Sequence, residues 1–424
     1  MFLYREKEIS LLKEDFNKPR SSMNFIFGRR RVGKTSLINE YVRNKQTLHL
    51  VCFETMSSSL IKEFQKNINT FFNIDETINT KTFEELFAYL SEMKIDSKTI
   101  IVFENIQELI KIDKDFLINL NNYWNKYLSK MNIQLIITSS LLPNNFDNLL
   151  ISKKVDNKIK LKSLSFNVIK EYFPNLDKNE TMYLFTAFGT NPEYLKLYDV
   201  KKDFISNIKN TCLSFDALLY NEGMNIIKKD LGEAATYCSI LYAISIGNNK
   251  IGDIADCLNL KSSYLTRYMQ KLLDLMLINK VVPLTQTANK SKFGRYEIED
   301  NFLKFWFCYV YTNINSINSN NINNVISYIE QDFSKRLVSS AYKKYFYELL
   351  EDENSQFFNY EPIKIGSWWN NKDIEFDFVA YDSKTITFID CKWDKNEGIE
   401  NDYKKLEIKA QEFDTQLERK YEIF

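Results

Sequence analysis

The feature that most limits what this chain can fold into is a glycine-rich segment, residues 28–35, with the pattern G-x-x-x-x-G-K-T. It follows the apolar residues 25–27 and leads into a stretch whose apolar residues have helical spacing. A strand, a glycine-rich turn and a helix in this order form a loop whose backbone N–H groups hold phosphates. The chain has only 10 glycines in 424 residues, so a chance glycine-rich turn is the weaker interpretation. The segment predicts a nucleotide-binding loop in an α/β fold.

The residue types in this segment suggest individual roles. Lys34 is placed to reach the β- and γ-phosphates, and the Thr35 hydroxyl is a suitable ligand for Mg²⁺. We expect the cofactors to be ATP and Mg²⁺. The expected nucleotide-binding residues are Gly28, Arg31, Gly33, Lys34, Thr35 and Ser36.

Three further apolar runs, at residues 47–53, 99–103 and 133–137, alternate with helical patterns, as the strands of a buried parallel sheet do. In P-loop ATPases with an added strand, one such run ends in a carboxylate for Mg²⁺ and then a glutamate that activates water. Here these positions are Glu104 and Asn105. Glu104 is an expected metal-site residue beside Thr35, but an asparagine cannot take a proton at neutral pH. The pattern favours nucleotide binding over hydrolysis.

Hydroxyl side chains at residues 138–140 follow the last of these runs, at the sheet edge where ligands bind. They are either a sensor of the γ-phosphate or a turn cluster. A separate possibility is an efficient ATPase whose water-activating group is another acid, such as Glu54 or Glu108.

Composition excludes several other classes of protein. The formal net charge is zero, so any contact with nucleic acid must come from local patches. The six cysteines are scattered and there is one histidine, which argues against a disulfide framework, a zinc site and a histidine-dependent triad. No apolar run approaches the length of a membrane span, so we expect a cytoplasmic protein with no membrane contact.

Residues 226–300 have the pattern of a winged helix-turn-helix: a short helix, a turn, a second helix and a two-stranded polar segment. One exposed side of the second helix is expected to carry Lys261, Tyr264, Arg267, Tyr268 and Lys271. Lys290, Lys292 and Arg295 are expected in or beside the wing. These residues suit DNA phosphates, although a winged helix can also serve as an internal packing module.

The aromatic segment 301–307 is expected to form core or a domain interface rather than a cofactor site, and the polar segment 312–321 a loop or linker. Beyond them, a helix precedes two candidate strands joined by a turn at residues 382–384.

The end of this predicted hairpin has a pattern of charged residues. Asp390 and Lys392 fall on one strand face with Asp377 opposite, which matches the metal site of PD-(D/E)xK nucleases. Asp377 and Asp390 are the expected metal ligands, and the expected catalytic residues are Asp377, Asp390, Lys392 and Glu348. The alternative is a solvated strand end.

Taken in order, these segments resemble the archaeal and bacterial AAA-like, STAND-related P-loop ATPases that carry a winged helix and a C-terminal PD-(D/E)xK nuclease-like domain of unknown function. The resemblance rests on the blocks at residues 5–6, 28–35, 189–195, 294–307, 366–369 and 390–393.

The chain departs from that family at three positions. It has Glu104-Asn105 in place of Asp-Glu, and only Lys153 and Lys154 where an arginine often precedes the lid. In the nuclease helix, Phe346 is followed by Tyr347 before Glu348 is reached. Each departure removes a catalytic group, which favours binding over turnover.

The resemblance implies a P-loop parallel sheet (residues 1–160), a helical lid (161–225), a winged helix (226–300) and an α/β restriction-endonuclease-like domain (301–424). We expect a nucleotide-dependent switch that binds ATP, hydrolyses it slowly and acts on DNA; a homo-oligomer remains open. The alternative is a non-catalytic regulator or adaptor that binds protein partners.

Overall fold

The structure is a computed structural model that describes residues 4–75, 79–143, 146–286, 293–351, 357–370, 374–393 and 399–424. The chain divides into two compact units. One contains the residues up to Leu164 together with Asp274–Met276, and the other contains Ser165–Leu273 and Leu277–Phe424.

The first unit is built on a parallel five-stranded sheet. Its strands are β1 (Ser22–Phe27), β2 (Thr47–Val51), β3 (Thr99–Glu104), β4 (Ile133–Ser139) and β5 (Asn157–Lys160). They lie in the order β2-β3-β4-β1-β5, and every neighbouring pair is parallel. Strand β4 lies between β1 and β3. It is therefore the added strand that the sequence predicts. The short polar strand β5 was not predicted, because its four residues carry one buried apolar side chain, Ile159.

Helices cover both faces of this sheet. They are α1 (Glu6–Phe16), α2 (Lys34–Val42), α3 (Ser57–Phe72), α4 (Phe83–Ser91), α5 (Ile106–Ile112) and α6 (Phe116–Lys126). Successive strand residues point to opposite faces, so Phe25 packs in one core with Phe64 and Phe103, while Ile26 packs in the other with Leu37. Two buried faces explain why the strands read as continuous apolar runs.

The second unit begins with eight helices. They are α7 (Asn167–Tyr172), α8 (Lys178–Phe188), α9 (Pro192–Leu195), α10 (Phe204–Cys212), α11 (Glu222–Asp230), α12 (Ala234–Ser245), α13 (Ile251–Cys257) and α14 (Ser262–Asp274). An antiparallel pair of strands follows, β6 (Ile278–Val281) and β7 (Arg295–Ile298).

A long, largely helical stretch comes next. It comprises α15 (Asn301–Phe305), a π-helical turn (Trp306–Val310), α16 (Ile314–Asn318), α17 (Asn323–Phe333), a second π-helical turn (Ser334–Val338) and α18 (Ser339–Glu351). The side chains at residues 302, 303 and 305–307 are buried, so the expectation of core is confirmed.

The expected loop at residues 312–321 is wrong. Most of this stretch is helical, because Ile317 is buried and Tyr220 Oη donates to Asn318 Oδ1 at 2.6 Å. These tertiary contacts outweigh the weak helix propensity of asparagine.

The chain ends in a four-stranded sheet with the order β11-β10-β9-β8. Its elements are β8 (Lys364–Trp369), β9 (Glu375–Tyr381), β10 (Thr385–Asp390), α19 (Ile399–Ala410) and β11 (Glu418–Ile423). The expected hairpin is present, since β9 and β10 pair antiparallel. Strand β11 pairs parallel with β10, and α19 makes the crossover between them.

Candidate nucleotide site and nucleic-acid interface

The glycine-rich segment connects β1 to α2, as predicted, and its two glycines are required by geometry. A Cβ added to Gly28 would lie 2.5 Å from the backbone oxygen of Leu161. Gly33, at the N-cap of α2, has φ 94°, a conformation that residues with a Cβ rarely adopt. The loop is therefore a close-packed turn in which a substituent would displace backbone. Of the other expected contacts, Arg31 and Ser36 are exposed, and Arg31 has a left-handed φ of 67°.

Lys34 lies inside this loop. Its side chain is buried, and Nζ donates to the backbone oxygens of Gly28 at 2.6 Å and Arg29 at 3.1 Å. The ammonium is thus held at the centre of the turn, where a phosphate group cradled by the loop would meet it. This position fits the role expected for Lys34.

Thr35 and Glu104 meet directly. The Thr35 hydroxyl, on the first turn of α2, donates a hydrogen bond to the carboxylate of Glu104 at the end of β3. A hydroxyl and a carboxylate together are oxygen ligands of the kind Mg²⁺ prefers. The two residues that the sequence assigned to the metal are therefore neighbours.

Asn105 follows Glu104 in a left-handed conformation, with φ 61°. Its backbone N–H donates to Thr138 Oγ1 at 3.1 Å, which ties the end of β3 to the end of β4. The side chain at this position is an amide, which has no basic oxygen for a water proton at neutral pH.

The alternative base Glu108 is engaged with two cations. Its carboxylate lies 2.9 Å from Arg30 Nη2 and 2.7 Å from Lys111 Nζ. Burial opposes ionisation of Glu108, but Lys111 and Arg30 hold its pKa below the ordinary value. A lowered pKa makes a weaker base. The other alternative, Glu54, is exposed in the segment after β2.

The three hydroxyl residues at the end of β4 have different surroundings. Thr138 accepts from Asn105, and Ser139 Oγ accepts from the N–H of Leu141 at 3.3 Å. Ser140 Oγ is buried and has no hydrogen-bond partner among the described residues. The backbone N–H of Ser140 donates to Gln107 Oε1 on α5 at 3.1 Å. The turn-cluster interpretation fits Thr138 and Ser139, while Ser140 keeps an unused hydroxyl beside the site.

Arg5 supports the loop from the side, a role that sequence reasoning missed. Its guanidinium donates to the backbone oxygens of Val32 at 3.2 Å and Lys162 at 2.6 Å. In the sequence, Arg5 is only one of the residues on which the family resemblance rests. Its contact with residue 162 could not be predicted, because the two residues are far apart in the chain. Lys153 and Lys154, considered in place of a missing arginine, are exposed on a short 3₁₀ turn.

Helix α14 presents Tyr264 and Arg267 to solvent, as expected, and Lys261, the residue before the helix, is also exposed. Lys271 is half-buried. The expectation for Tyr268 is wrong, because its side chain is 3% exposed. Its ring packs edge-on to Tyr237 at 5.0 Å, which turns it inward. Arg267 donates to Tyr268 Oη at 2.7 Å and lies over the rings of Tyr264 and Tyr268.

The segments around the expected wing contact the C-terminal sheet. Leu284 shares a core with Phe376 and Phe388, and its N–H donates to Ser367 O on β8 at 2.8 Å. Arg295 on β7 lies 2.7 Å from the carboxylate of Glu375 and stacks over Trp369. Arg295 is therefore committed to the sheet. Lys290 and Lys292 lie outside the described residues.

At the C-terminal candidate site, Asp377 and Asp390 are neighbours on paired strands. The Asp377 N–H donates to Asp390 Oδ1 at 3.4 Å. Lysines contact both carboxylates: Lys343 pairs with Asp377, and Lys409 lies 2.5 Å from Asp390. Burial raises the pKa of Asp377, although Lys343 opposes the shift.

The other two expected catalytic residues point elsewhere. Strand β10 ends at Asp390, and Lys392 pairs with Asp402 on α19 at 2.5 Å. Glu348 accepts a hydrogen bond from the N–H of Phe166 at 3.0 Å, and burial raises its pKa. Within the described part of the chain, no group of three or more His, Cys, Asp or Glu side chains is arranged to hold a metal ion. Sequence reasoning missed Lys343, which lies on α18 one helical turn before Tyr347 and pairs with Asp377.

Among the described helices, none combines the length and the apolar character needed to cross a membrane.

Comparison with known proteins gives two family matches. Residues 2–198 match the model of an ATPase domain predominantly from Archaea. Residues 306–408 match a family described as archaeal and bacterial proteins of unknown function.

Individual relatives extend these matches over the chain. An uncharacterised protein of Methanocaldococcus jannaschii is 29% identical over 421 residues, covering 97% of this chain and 92% of that protein. An uncharacterised ATP-binding protein of the same organism is 39% identical over 46 residues, covering 11% of this chain and 78% of that protein. Among solved structures, the Walker-type ATPase of Pyrococcus abyssi has a TM-score of 0.52 at 19% identity, covering 72% of this chain and 96% of its own. The match over residues 2–198, together with the parallel sheet and its glycine-rich loop, shows that the N-terminal part of this chain is similar to an ATPase domain predominantly from Archaea.

Proposed function

We propose that this protein is a nucleotide-held switch that binds ATP with Mg²⁺, hydrolyses it slowly and acts on DNA. The observation that carries the proposal is the hydrogen bond between Thr35 and Glu104, with an amide, Asn105, as the next residue. The first two residues supply oxygen ligands for a metal. The third lacks the base that would activate water.

Binding draws on four features of the loop. The backbone N–H groups at the start of α2 favour anionic phosphates, and Lys34 adds a positive charge at the centre of the turn. Thr35 and Glu104 would hold Mg²⁺, which when bound neutralises phosphate charge and polarises the bond to be hydrolysed. Gly28 lets the backbone pack closely enough to form the turn.

Slow hydrolysis follows from the acids that are present. Asn105 cannot act as a general base, and Glu108 is paired with Arg30 and Lys111. General-base catalysis contributes about 10²- to 10⁴-fold to a rate, so its loss leaves long-lived bound ATP. A long-lived complex suits a switch better than a motor.

The nucleotide half of the proposal is tested by equilibrium binding of ATP with Mg²⁺. We expect Lys34→Ala to abolish measurable binding and Thr35→Ala to weaken it only in the presence of Mg²⁺. Glu84→Gln, which removes a charge from an exposed ion pair with Lys126, is the matched control and should bind normally. Equal binding by wild type and Lys34→Ala would refute a phosphate-loop site.

The exposed side of α14 supports the proposal that the protein binds DNA. Arg267 is exposed there and Lys271, four residues further along the same helix face, is half-buried, while the exposed Lys261 directly precedes the helix. Arg295 is paired with Glu375, so contact falls to the helix rather than to this residue of the wing. Contacts to phosphates make affinity strongly dependent on salt.

The DNA half is tested by fluorescence anisotropy with duplex DNA over a series of salt concentrations. Arg267→Ala and Lys271→Ala should each weaken binding and lower the slope of log K against log salt by about one. Lys196→Ala, at an exposed ion pair with Glu193, is the control. Binding that is insensitive to salt and to both α14 variants would favour the adaptor.

The adaptor remains the second candidate, because the carboxylates of the C-terminal site are paired with lysines. Lys343 and Lys409 neutralise Asp377 and Asp390, which lets these groups stabilise the hairpin without a metal. A helix followed by a hairpin supports a nuclease-like fold for this region, and the pairing supports a binding role for it. Mg²⁺-dependent DNA cleavage that is lost in Asp390→Asn would instead support a nuclease activity for this region.

The setting is proposed to be the cytosol. Five of the six cysteines are buried as free thiols, which suits a reducing compartment.

A further inference from the structure

Every carboxylate oxygen of Asp377 and Asp390 accepts a hydrogen bond. Lys343 Nζ donates to Asp377 Oδ1, and the backbone N–H of Cys391 donates to Oδ2 at 2.8 Å. Asp390 Oδ1 accepts from the N–H of Asp377 at 3.4 Å, and Lys409 Nζ donates to Oδ2 at 2.5 Å. A divalent metal binds carboxylates through the same oxygens. A metal at this pair of aspartates would therefore have to replace contacts that the protein already makes.

The two lysines reach the aspartates from different helices. Lys343 is on α18, before the hairpin of β9 and β10, and Lys409 is on α19, after it. The Lys409 ammonium also lies 4.9 Å from the centre of the Phe376 ring. The two ion pairs thus connect both helices to the paired strands. A structural metal makes the same kind of link when it takes ligands from separate segments.

The charges of this cluster balance without a metal. At neutral pH the two carboxylates and the two ammonium groups cancel, and Glu375, two residues before Asp377, pairs with Arg295 at 2.7 Å. The side chains of Asp377 and Asp390 are 13% and 21% exposed, which limits screening by solvent. A divalent cation would enter a neutral cluster and meet two ammonium groups that repel it. The residues present therefore do not fit a resident metal ion.

The lysine of the nuclease pattern is engaged with another acid. Lys392 Nζ lies 2.5 Å from Asp402 Oδ1 on α19, and the Asp402 side chain is largely buried. This ammonium is therefore directed to α19 and not to the pair of aspartates. The charged residues that match a metal-dependent site are used in contacts within the protein.

We propose that Lys343 and Lys409 take the place of a divalent metal at Asp377 and Asp390. Two ammonium groups of the protein hold the C-terminal strands and helices together where PD-(D/E)xK nucleases bind a metal ion. The pattern is then that of a metal site closed by lysines. The inference uses contacts within the second unit and does not depend on the binding of ATP or DNA.

The proposal predicts that removal of both ammonium groups opens a metal site. Methionine has nearly the length of lysine without its charge, so Lys343→Met/Lys409→Met keeps the apolar stems and leaves two carboxylates unpaired. Without a metal this variant should be less stable than wild type, because a buried charge that loses its partner is costly. Mn²⁺, as a probe for divalent metals, should raise the melting temperature of the variant by about 5 °C and leave that of wild type unchanged.

The test is thermal unfolding of the full chain without nucleotide, with and without excess Mn²⁺, together with electron paramagnetic resonance, which separates free from bound Mn²⁺. The double variant should bind an additional Mn²⁺ ion, and Asp390→Asn added to it should remove both the ion and the thermal shift. Lys409→Met alone is a milder second variant and should show a smaller shift. Lys196→Met, at an exposed ion pair with Glu193, is the control and should behave like wild type.

Binding of Mn²⁺ by wild type that is lost in Asp390→Asn would overturn the inference, because the aspartates would then hold a metal with both lysines present. A double variant that Mn²⁺ neither binds nor stabilises would also overturn it, since the lysines would then form ordinary ion pairs and not a substitute for a metal. Neither result bears on the binding of ATP or DNA, which the variants at Lys34 and on α14 test separately.

Discussion

The backbone N–H of Asn105 donates to the hydroxyl of Thr138 at 3.1 Å, and this bond joins the carboxyl ends of β3 and β4. It fixes residue 105 in a left-handed conformation directly after Glu104, which bonds to Thr35 of the phosphate loop. The two residues proposed to bind the metal are therefore in contact, and an amide occupies the position at which the proposal expects a base. Asparagine also tolerates the left-handed conformation better than most side chains.

Gly28→Ala is expected to damage the phosphate loop. The added Cβ would lie 2.5 Å from the Leu161 backbone oxygen and 3.0 Å from Val32 Cγ1, and a backbone oxygen cannot rotate away. We expect a loss of about 1 to 3 kcal/mol in the free energy of unfolding, together with weaker ATP binding. Urea unfolding and ATP titration measure the two effects.

The control for that change is Gly252→Ala on α13, where an added Cβ meets nothing within 4 Å. A helical glycine replaced by alanine should gain up to about 1 kcal/mol. Equal behaviour of the two variants would show that Gly28 is not tightly packed.

Leu284→Ala should destabilise the C-terminal sheet, although residue 284 lies far from it in sequence. Leu284 shares the core of Phe376, Val379 and Phe388, and removing a buried leucine costs about 2 to 5 kcal/mol. In this variant the rate of amide hydrogen exchange should increase in β8 and β9 and also in the paired strands β6 and β7. Leu218→Ala, at a side chain that is 75% exposed, should change neither. Faster exchange in the hairpin alone would contradict a shared core.

Glu348→Gln should change how stability depends on pH. Burial raises the pKa of Glu348 above its ordinary value of 4.5, so the folded state binds the proton more tightly than the unfolded state. As the pH rises from about 4.5 through the raised pKa, ionisation is resisted only in the folded state, and this residue's contribution to stability falls. Wild type should lose stability relative to Glu348→Gln across that interval, measured as the difference in unfolding free energy at each pH. A difference that stays constant, or grows in favour of wild type, would contradict the burial of an ionisable group here.

The glycine-rich loop and the parallel sheet could be predicted from the sequence, because both depend on patterns of residues that are close together in the chain. Gly28, Gly33, Lys34 and Thr35 lie within eight residues, and the strands between buried faces are uninterrupted apolar runs. Glu104 could be placed near Thr35 because the carboxyl ends of all strands in a parallel sheet lie at one edge, although β4 separates β1 from β3.

What could not be predicted depends on partners distant in the chain. Tyr268 falls at an exposed helical position by spacing, yet it packs against Tyr237. Lys343 and Lys409 reach the two aspartates from helices before and after the hairpin. The asparagine-rich stretch becomes helical through contacts such as Tyr220 with Asn318. Residue spacing carries no information about such pairs.

The central claim is that Asn105 limits hydrolysis in a site that otherwise binds ATP. The direct measurement is single-turnover hydrolysis of bound ATP by wild type, Asn105→Glu and Asn105→Gln, with and without duplex DNA. Asn105→Gln is the matched control, because it has the length of glutamate without its charge. We expect slow turnover by wild type and by Asn105→Gln, and a rate about tenfold to a hundredfold higher for Asn105→Glu. Fast turnover by wild type that Asn105→Glu does not increase would contradict the claim and would require another residue to activate water.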